Sequence, residues 1–351
     1  MSTNRGWGWE ISVKRLVIVA PNWLGDAVMA LPAIADVRRA APDCSITVAA
    51  RPSIAPLFGM VDDVNDVITL EPGRPPRRVA WWRDFGAELR SLRFEAALIL
   101  PNSFQAALVA AGAGIPERWG YRTQWRDLLL TRGIDRAPVG THQVDYYQQL
   151  VHALGFPNGP VRPRLDASAD IRELGAQVLS EAGWDRRTPL VALAPGAAYG
   201  GAKRWPAASF AELARTLAGD GVSAVIVGST ADAATGEEMA TALAGRTSVL
   251  NVIGRTDLRA LAGVLVHCRG LVANDSGAMH LGAALGVSVI AVFGPTDERV
   301  TGPRAEVAST PAILTHPVWC RPCLLRECAL DHRCMRGIGV DAVAHAARLA
   351  L

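Results

Sequence analysis

The chain has 351 residues, half of them apolar and a fifth charged. It is too long for one typical core and too apolar for a disordered chain, so two globular domains are expected. A net charge of +3 is too weak to argue for nucleic acid, no RNA- or DNA-binding motif is present, and no nucleic-acid partner is expected.

Residues 1–12 read as a polar tail. The stretch "KRLVIVAPNWLGDAVMALP" is apolar enough to suggest a leader, but Pro21, Asn22 and Asp26 interrupt it. It reads instead as a buried strand over 15–20 followed by a helical pattern over 26–42. Further strands are expected at 45–50, 66–70 and 95–100, with helices between them. Residues 155–170 hold three prolines and no periodicity, which marks a linker. The alternation then restarts, with strands or strand ends at 190–196, 222–228, 270–277 and 287–295.

Strand–helix alternation of this kind builds a parallel sheet covered on both faces. The expected fold is α/β, with two doubly wound domains, 1–165 and 166–351, facing across a cleft. Ligands in such sheets bind beyond the carboxyl ends of the strands. The first domain carries 19 Lys plus Arg against 15 Asp plus Glu, the second 17 against 18, so the first is expected to meet an anionic partner. No run of 18 apolar residues occurs, so no membrane span is predicted and the protein is expected in the cytoplasm.

Four loops leave strands and enter helices: "APNWLGDA", "APGAAYGGAKRWP", "GSTAD" and "ANDSGAMHL". None spells G-x-G-x-x-G, and no D-x-D occurs to hold a metal. The second approaches a P-loop, but Lys203 stands one place late and Arg204 occupies the magnesium-binding position. Only Lys14 and Lys203 are lysines among 36 basic residues, which singles out a compact ammonium in the most glycine-rich loop. Without a metal, a pyrophosphate must be neutralised by helix N-termini, backbone N–H groups and a cation. Plain structural roles compete with these readings. Asp26 and Asp275 stand where helix N-caps would be, Gly200 and Gly201 suit a turn, and His280 suits a structural histidine in an apolar helix.

Taken together, "PNWLGDAVMALPAI", "LPNSFQAAL", "AGIPERWGYR", "PGAAYGGAKRWP" and "NDSGAMHLGAALG" resemble the ADP-heptose:lipopolysaccharide heptosyltransferases of glycosyltransferase family 9, most of all their heptosyltransferase II branch. The resemblance implies a GT-B fold, two Rossmann-like domains with the acceptor on the first and the nucleotide sugar on the second. It implies ADP-heptose as donor, the lipopolysaccharide inner core as acceptor and no catalytic metal. By position, Asp26 matches the general base and Lys203 the lysine that holds the donor phosphates. Asp275 matches a carboxylate at the heptose or its phosphates, with Ser276, Gly277 and His280 in the same loop. Thr256 falls where the backbone meets adenine and Ser229 near the ribose. Ala197, Ala198 and Tyr199 stand where relatives vary.

Residues 320–334 depart from this pattern, with Cys320, Cys323, Cys328 and Cys334 in C-x2-C-x4-C-x5-C spacing. Clustered thiols in a reducing compartment point to a structural zinc or iron, with free or partly oxidised thiols as the alternative. Cys44 and Cys268 read as buried apolar residues. The segment "RPPRRVAWWRD" at 74–84 suggests peripheral contact with the inner membrane, or else an ordinary helix with a tryptophan in the core. Arg118, Arg122 and Arg126 are candidates for acceptor carboxylates and phosphates. Three other functions stay open at this level: a protein (autotransporter) heptosyltransferase, a GT-B sugar-nucleotide epimerase, and a non-catalytic nucleotide-sugar binder.

Overall fold

The structure, a computed structural model, describes residues 13–70, 86–243, 245, 249–305 and 310–351. The expected polar tail and the segment 74–84 fall outside the described residues. The chain divides into two compact units, Met1–Val161 and Arg162–Leu351.

The first unit holds β1 (Arg15–Val19), β2 (Ser45–Ala50), β3 (Asp66–Thr69), β4 (Ala96–Ile99), β5 (Glu117–Tyr121) and β6 (Arg132–Ile134). They form one sheet in the order β3-β2-β1-β4-β5-β6, every pair parallel. In its centre Val19 stands opposite Ala49 on one side and Ile99 on the other. The second unit holds β7 (Leu190–Ala194), β8 (Ser223–Ile226), β9 (Val249–Asn251), β10 (Gly270–Asn274), β11 (Ser288–Phe293) and β12 (Ala312–Thr315). Its order is β12-β11-β10-β7-β8-β9, again all parallel. Counted from the first strand of each unit, both sheets run 3-2-1-4-5-6, the Rossmann order. The central strands are apolar without alternation because both faces are covered: every residue of β4, β7 and β10 is buried.

The helical pattern after β1 is broken into Leu24–Met29 and Leu31–Ala40. Pro32 explains the break, since it has no N–H for the Val28 carbonyl and its ring crowds that turn. In the second helix Asp36 is fully buried. One of its oxygens accepts from Arg39 at 2.9 Å, and the other meets Gln148 and His152, each at 2.9 Å. The helix Gln143–Ala153 is thereby tied to the helix Leu31–Ala40. In the second unit the helices Ala169–Glu181 and Leu258–Val266 cross where Gly175 faces Gly263. A Cβ at either position would overlap the other helix's backbone, so both must be glycine.

Candidate functional site

Strand order reverses between β7 and β10, so the loops after these strands splay apart and leave a crevice. Asn274, fully buried at the end of β10, stitches the two loops together. Its amide donates to the Pro195 carbonyl at 2.7 Å and accepts from the Trp205 N–H at 3.0 Å. Between these anchors, the loop carries Lys203 to Asp275, with the ammonium 2.6 Å from a carboxylate oxygen. The same oxygen accepts from the Thr296 hydroxyl at 2.6 Å, after β11. Both charges are nearly buried, with 12% and 6% of their side-chain surface exposed.

An ammonium has three donors, so the Asp275 bond fixes Lys203 without exhausting it. Its Nζ also lies 4.7 Å from the centre of the Tyr199 ring. Asp275 is not a helix cap: Ser276 holds the N-cap position of Gly277–Ala284. Among the described residues the buried Ser276 hydroxyl has no hydrogen-bond partner, and neither has the buried Nε of Arg204. Such orphans are rare and mark places where a ligand or water completes the bonding. Together with the helix N-terminus and Lys203, they equip this strand end for a phosphate group. Gly277 opens the helix, and His280 is buried one turn further in.

The other predicted donor-site residues lie around this crevice with varied commitments. Ser229 caps a short turn, its N–H and hydroxyl both 2.9 Å from Asp232. Asp232 packs flat on Gly196, where a Cβ would collide with its carboxylate. Thr256 precedes Asp257, which caps the helix Leu258–Val266 through the Ala260 N–H at 2.8 Å. Ala197 is buried and Ala198 exposed.

The cysteine loop supplies contacts that sequence reasoning missed. Gly200 and Gly201 are not only turn residues: a Cβ on them would strike Arg326 and Glu327. Ala202 N–H donates to the Arg326 carbonyl at 2.9 Å, and Gly201 N–H to the Glu327 carboxylate at 3.0 Å. The Tyr199 hydroxyl donates to the Leu324 carbonyl at 2.8 Å. On the opposite side Arg321 donates to the carbonyls of Gly294 (2.6 Å) and Thr296 (3.1 Å) and pairs with Glu298 (2.6 Å). Residues 321–327 therefore join the Lys203 loop to the Thr296 loop.

The expected structural metal is not supported. Cys328 Sγ accepts the N–H groups of Leu330 (3.4 Å) and His332 (3.3 Å). Burial first, then the Cys328 thiol, pushes the Cys334 pKa up. Yet among the described residues no group of three or more His, Cys, Asp or Glu is placed to hold a metal ion. Backbone carbonyls and ion pairs attach the loop.

In the first unit the order reverses between β1 and β4, which brings Asp26 and Asn102 to the same edge. Asp26 lies in the first turn of Leu24–Met29 and is not its cap, which is Trp23. Tyr147 is buried nearby; burial first, then the Asp26 charge, holds its hydroxyl well above the usual range. The Asn102 amide donates to the Tyr146 hydroxyl at 2.8 Å. The three arginines separate in role. Arg118 spends its guanidinium on the carbonyls of Leu129 (2.6 Å), Ile115 (2.5 Å) and Pro116 (3.1 Å), so it is a loop staple. Arg126 is fully buried, bonded to Tyr121 O at 2.7 Å and to Pro101 O, and burial lowers its pKa to about 10. Arg122 is half exposed and paired with Asp127 (3.1 Å) and Asp135 (3.2 Å).

Two Rossmann-type units, one with a lysine-bearing loop and the other with a carboxylate at its switch point, have the architecture of the GT-B class of nucleotide-sugar glycosyltransferases. Comparison with known proteins agrees. The model of glycosyltransferase family 9 (heptosyltransferase) matches residues 82–333. Lipopolysaccharide heptosyltransferase 2 of Salmonella typhimurium is 31% identical over 312 residues, 86% of this chain and 88% of the relative. The structure of E. coli ADP-heptose LPS heptosyltransferase II superposes with a TM-score of 0.82 at 27% identity, over 96% of this chain and 98% of that one. A family 9 glycosyltransferase from Veillonella parvula, 21% identical, shares the fold with a TM-score of 0.84 and coverage of 97% and 98%. The chain belongs to glycosyltransferase family 9, the heptosyltransferases. These relatives do not favour the epimerase or the protein-acceptor alternative.

Proposed function

We propose that the protein transfers heptose from ADP-heptose to the lipopolysaccharide inner core with inversion at the anomeric carbon. Relatives named lipopolysaccharide heptosyltransferase 2 and ADP-heptose LPS heptosyltransferase II support the donor and the class of acceptor. The acceptor belongs to the first unit and the donor to the second. Asp26 takes the proton from the acceptor hydroxyl as that oxygen attacks the anomeric carbon. The bond from that carbon to the diphosphate oxygen breaks, and ADP departs. Lys203, the Ser276 hydroxyl and the N-terminus of Gly277–Ala284 receive the charge on the leaving diphosphate. Asp275 holds Lys203 in place, Thr256 and Ser229 flank the nucleoside, and Ala198, Tyr199 and His280 shape the pocket. No catalytic metal enters this scheme.

The observation that carries the reading is the ion pair of Lys203 and Asp275 at the reversal of strand order. We place the enzyme at the cytoplasmic side of the inner membrane, because its acceptor is anchored there. Calorimetric titration with ADP, UDP and GDP in EDTA, repeated on Lys203→Ala, tests the donor half. Selective ADP binding that weakens in the variant agrees with it. A preference for UDP, or no effect of Lys203, contradicts it.

A further inference from the structure

Two side chains of the first unit are exposed far beyond what their chemistry favours. Trp125 is 90% and Leu128 91% exposed. Gln124 and Trp125 both have left-handed backbones, with φ of 50° and 61°, although neither is glycine. An L-residue adopts that conformation at a cost, and here it lifts the indole away from the body of the unit. Alongside lies the helix Phe104–Gly112, whose residues Ala106 and Leu129 of the neighbouring turn join one apolar cluster. Its outer face shows Phe104 and Leu108, 41% and 46% exposed. From Ala96 to Pro116 the chain has no charged residue, which is unusual for a helix that faces water. Charge returns at the margin, where Arg122 pairs with Asp127 and Asp135, Arg132 lies 4.0 Å from Glu117, and Arg136 stands over the Tyr146 ring.

Position adds the argument for an occupant. Phe104 follows β4 and Trp125 follows β5, so both lie at the carboxyl edge of the sheet that also carries Asp26 after β1. An apolar tip with a neutral helix and a rim of paired charges matches a bilayer interface, where the tryptophan ring and aliphatic side chains enter and the charged groups stay among the headgroups. We infer that Trp125, Leu128, Phe104 and Leu108 form the surface by which the enzyme docks on the membrane that holds its acceptor. The inference rests on the lipid-anchored acceptor proposed above.

The test uses the full-length protein and vesicles of phosphatidylethanolamine with phosphatidylglycerol. The parent should float with the vesicles, and Trp125→Ala with Leu128→Ala should partition roughly ten- to a hundred-fold less. Both side chains are exposed, so the double variant should keep the parent's melting temperature. Its kcat/KM on a deacylated, soluble acceptor should stay unchanged, and on acceptor embedded in vesicles it should fall with the partitioning. Equal flotation of the two proteins overturns the inference. So does a parent that sediments as a dimer while the double variant is a monomer, because the patch is then a self-interface. A parent inactive on both acceptors would refute the proposed transfer, whereas the flotation result judges docking by itself.

Discussion

Lys203 and Asp275 come from the loops after two adjacent strands and meet at 2.6 Å, both nearly shielded from water. The pair is what a diphosphate site without a metal requires: a cation held still before the ligand arrives. Lys203→Ala should lower kcat/KM for the donor by about 10²–10³-fold, the range for loss of one preorganised charge-stabilising group. Asp275→Asn keeps the shape but loosens the ammonium. It should raise donor KM and lower kcat together, and Thr296→Val should cost only about 1 kcal/mol of transition-state stabilisation, the worth of one hydrogen bond. Steady-state kinetics on the three variants checks the order.

Asp26→Asn should behave differently. It removes the proposed base and leaves the Lys203 loop unchanged, so kcat should fall by about 10²–10⁴-fold. ADP affinity by calorimetry should not change. A variant that lost ADP binding as well would assign Asp26 a structural part.

The loop 321–327 joins the two donor-site loops through carbonyls and ion pairs. Arg321→Ala should therefore weaken ADP binding by roughly ten-fold, since it removes charge-assisted hydrogen bonds of about 1.5–3 kcal/mol each, partly replaced by water. Cys323→Ser should alter ADP affinity by less than about two-fold, because none of the bracing bonds uses its thiol. The reverse order would return the loop's stability to its cysteines.

Gly263→Ala should destabilise the second unit by about 1–3 kcal/mol, the usual cost of overpacking. Its methyl would meet the Ile171 carbonyl and the Gly175 backbone, neither of which is the flexible end of a side chain. Denaturant unfolding measures the loss, while the KM for donor should stay as in the parent.

Burial raises the Cys268 thiol from 9.0 to about 12. The folded state thus keeps its proton where the unfolded chain has released it. The sign follows: the thiol's contribution to stability is full below pH about 9 and is lost as pH rises toward about 12, at about 1.4 kcal/mol per pH unit. Cys268→Ala should flatten the stability curve between these limits relative to the parent.

The central strands were legible because they are apolar runs, whereas the short outer strands β5, β6, β9 and β12 were not read, β5 and β6 because Glu117, Arg118 and Arg132 break the apolar pattern. The break at Ala30 was signalled by Pro32, but the apolar periodicity runs across it. At the site, Lys203 stood out as one of two lysines, and Asp275 by its place after a strand. Their ion pair was not readable, since 72 residues separate them and only the strand order β10-β7 makes them neighbours. Thr296, Arg321 and Glu327 were missed for a related reason. Arg321 and Glu327 bond backbone carbonyls and N–H groups of other loops, which leaves no mark on the partner's sequence, and Thr296 meets the Asp275 side chain only because β11 lies beside β10. The spacing of the four cysteines suggested ligands, which the described residues do not support, while Arg321 and Glu327, which attach the loop, carried no signal in the sequence.

The central claim is transfer from an adenosine diphosphate sugar. Incubating the purified protein with ADP-heptose and a deacylated lipopolysaccharide inner-core acceptor, and following ADP release, tests it most directly. The account predicts stoichiometric ADP and heptosylated acceptor only when both substrates are present, formed at least about a hundred-fold more slowly by Asp26→Asn. Turnover of a UDP-sugar in place of ADP-heptose, or sugar-nucleotide conversion with no acceptor, would contradict it.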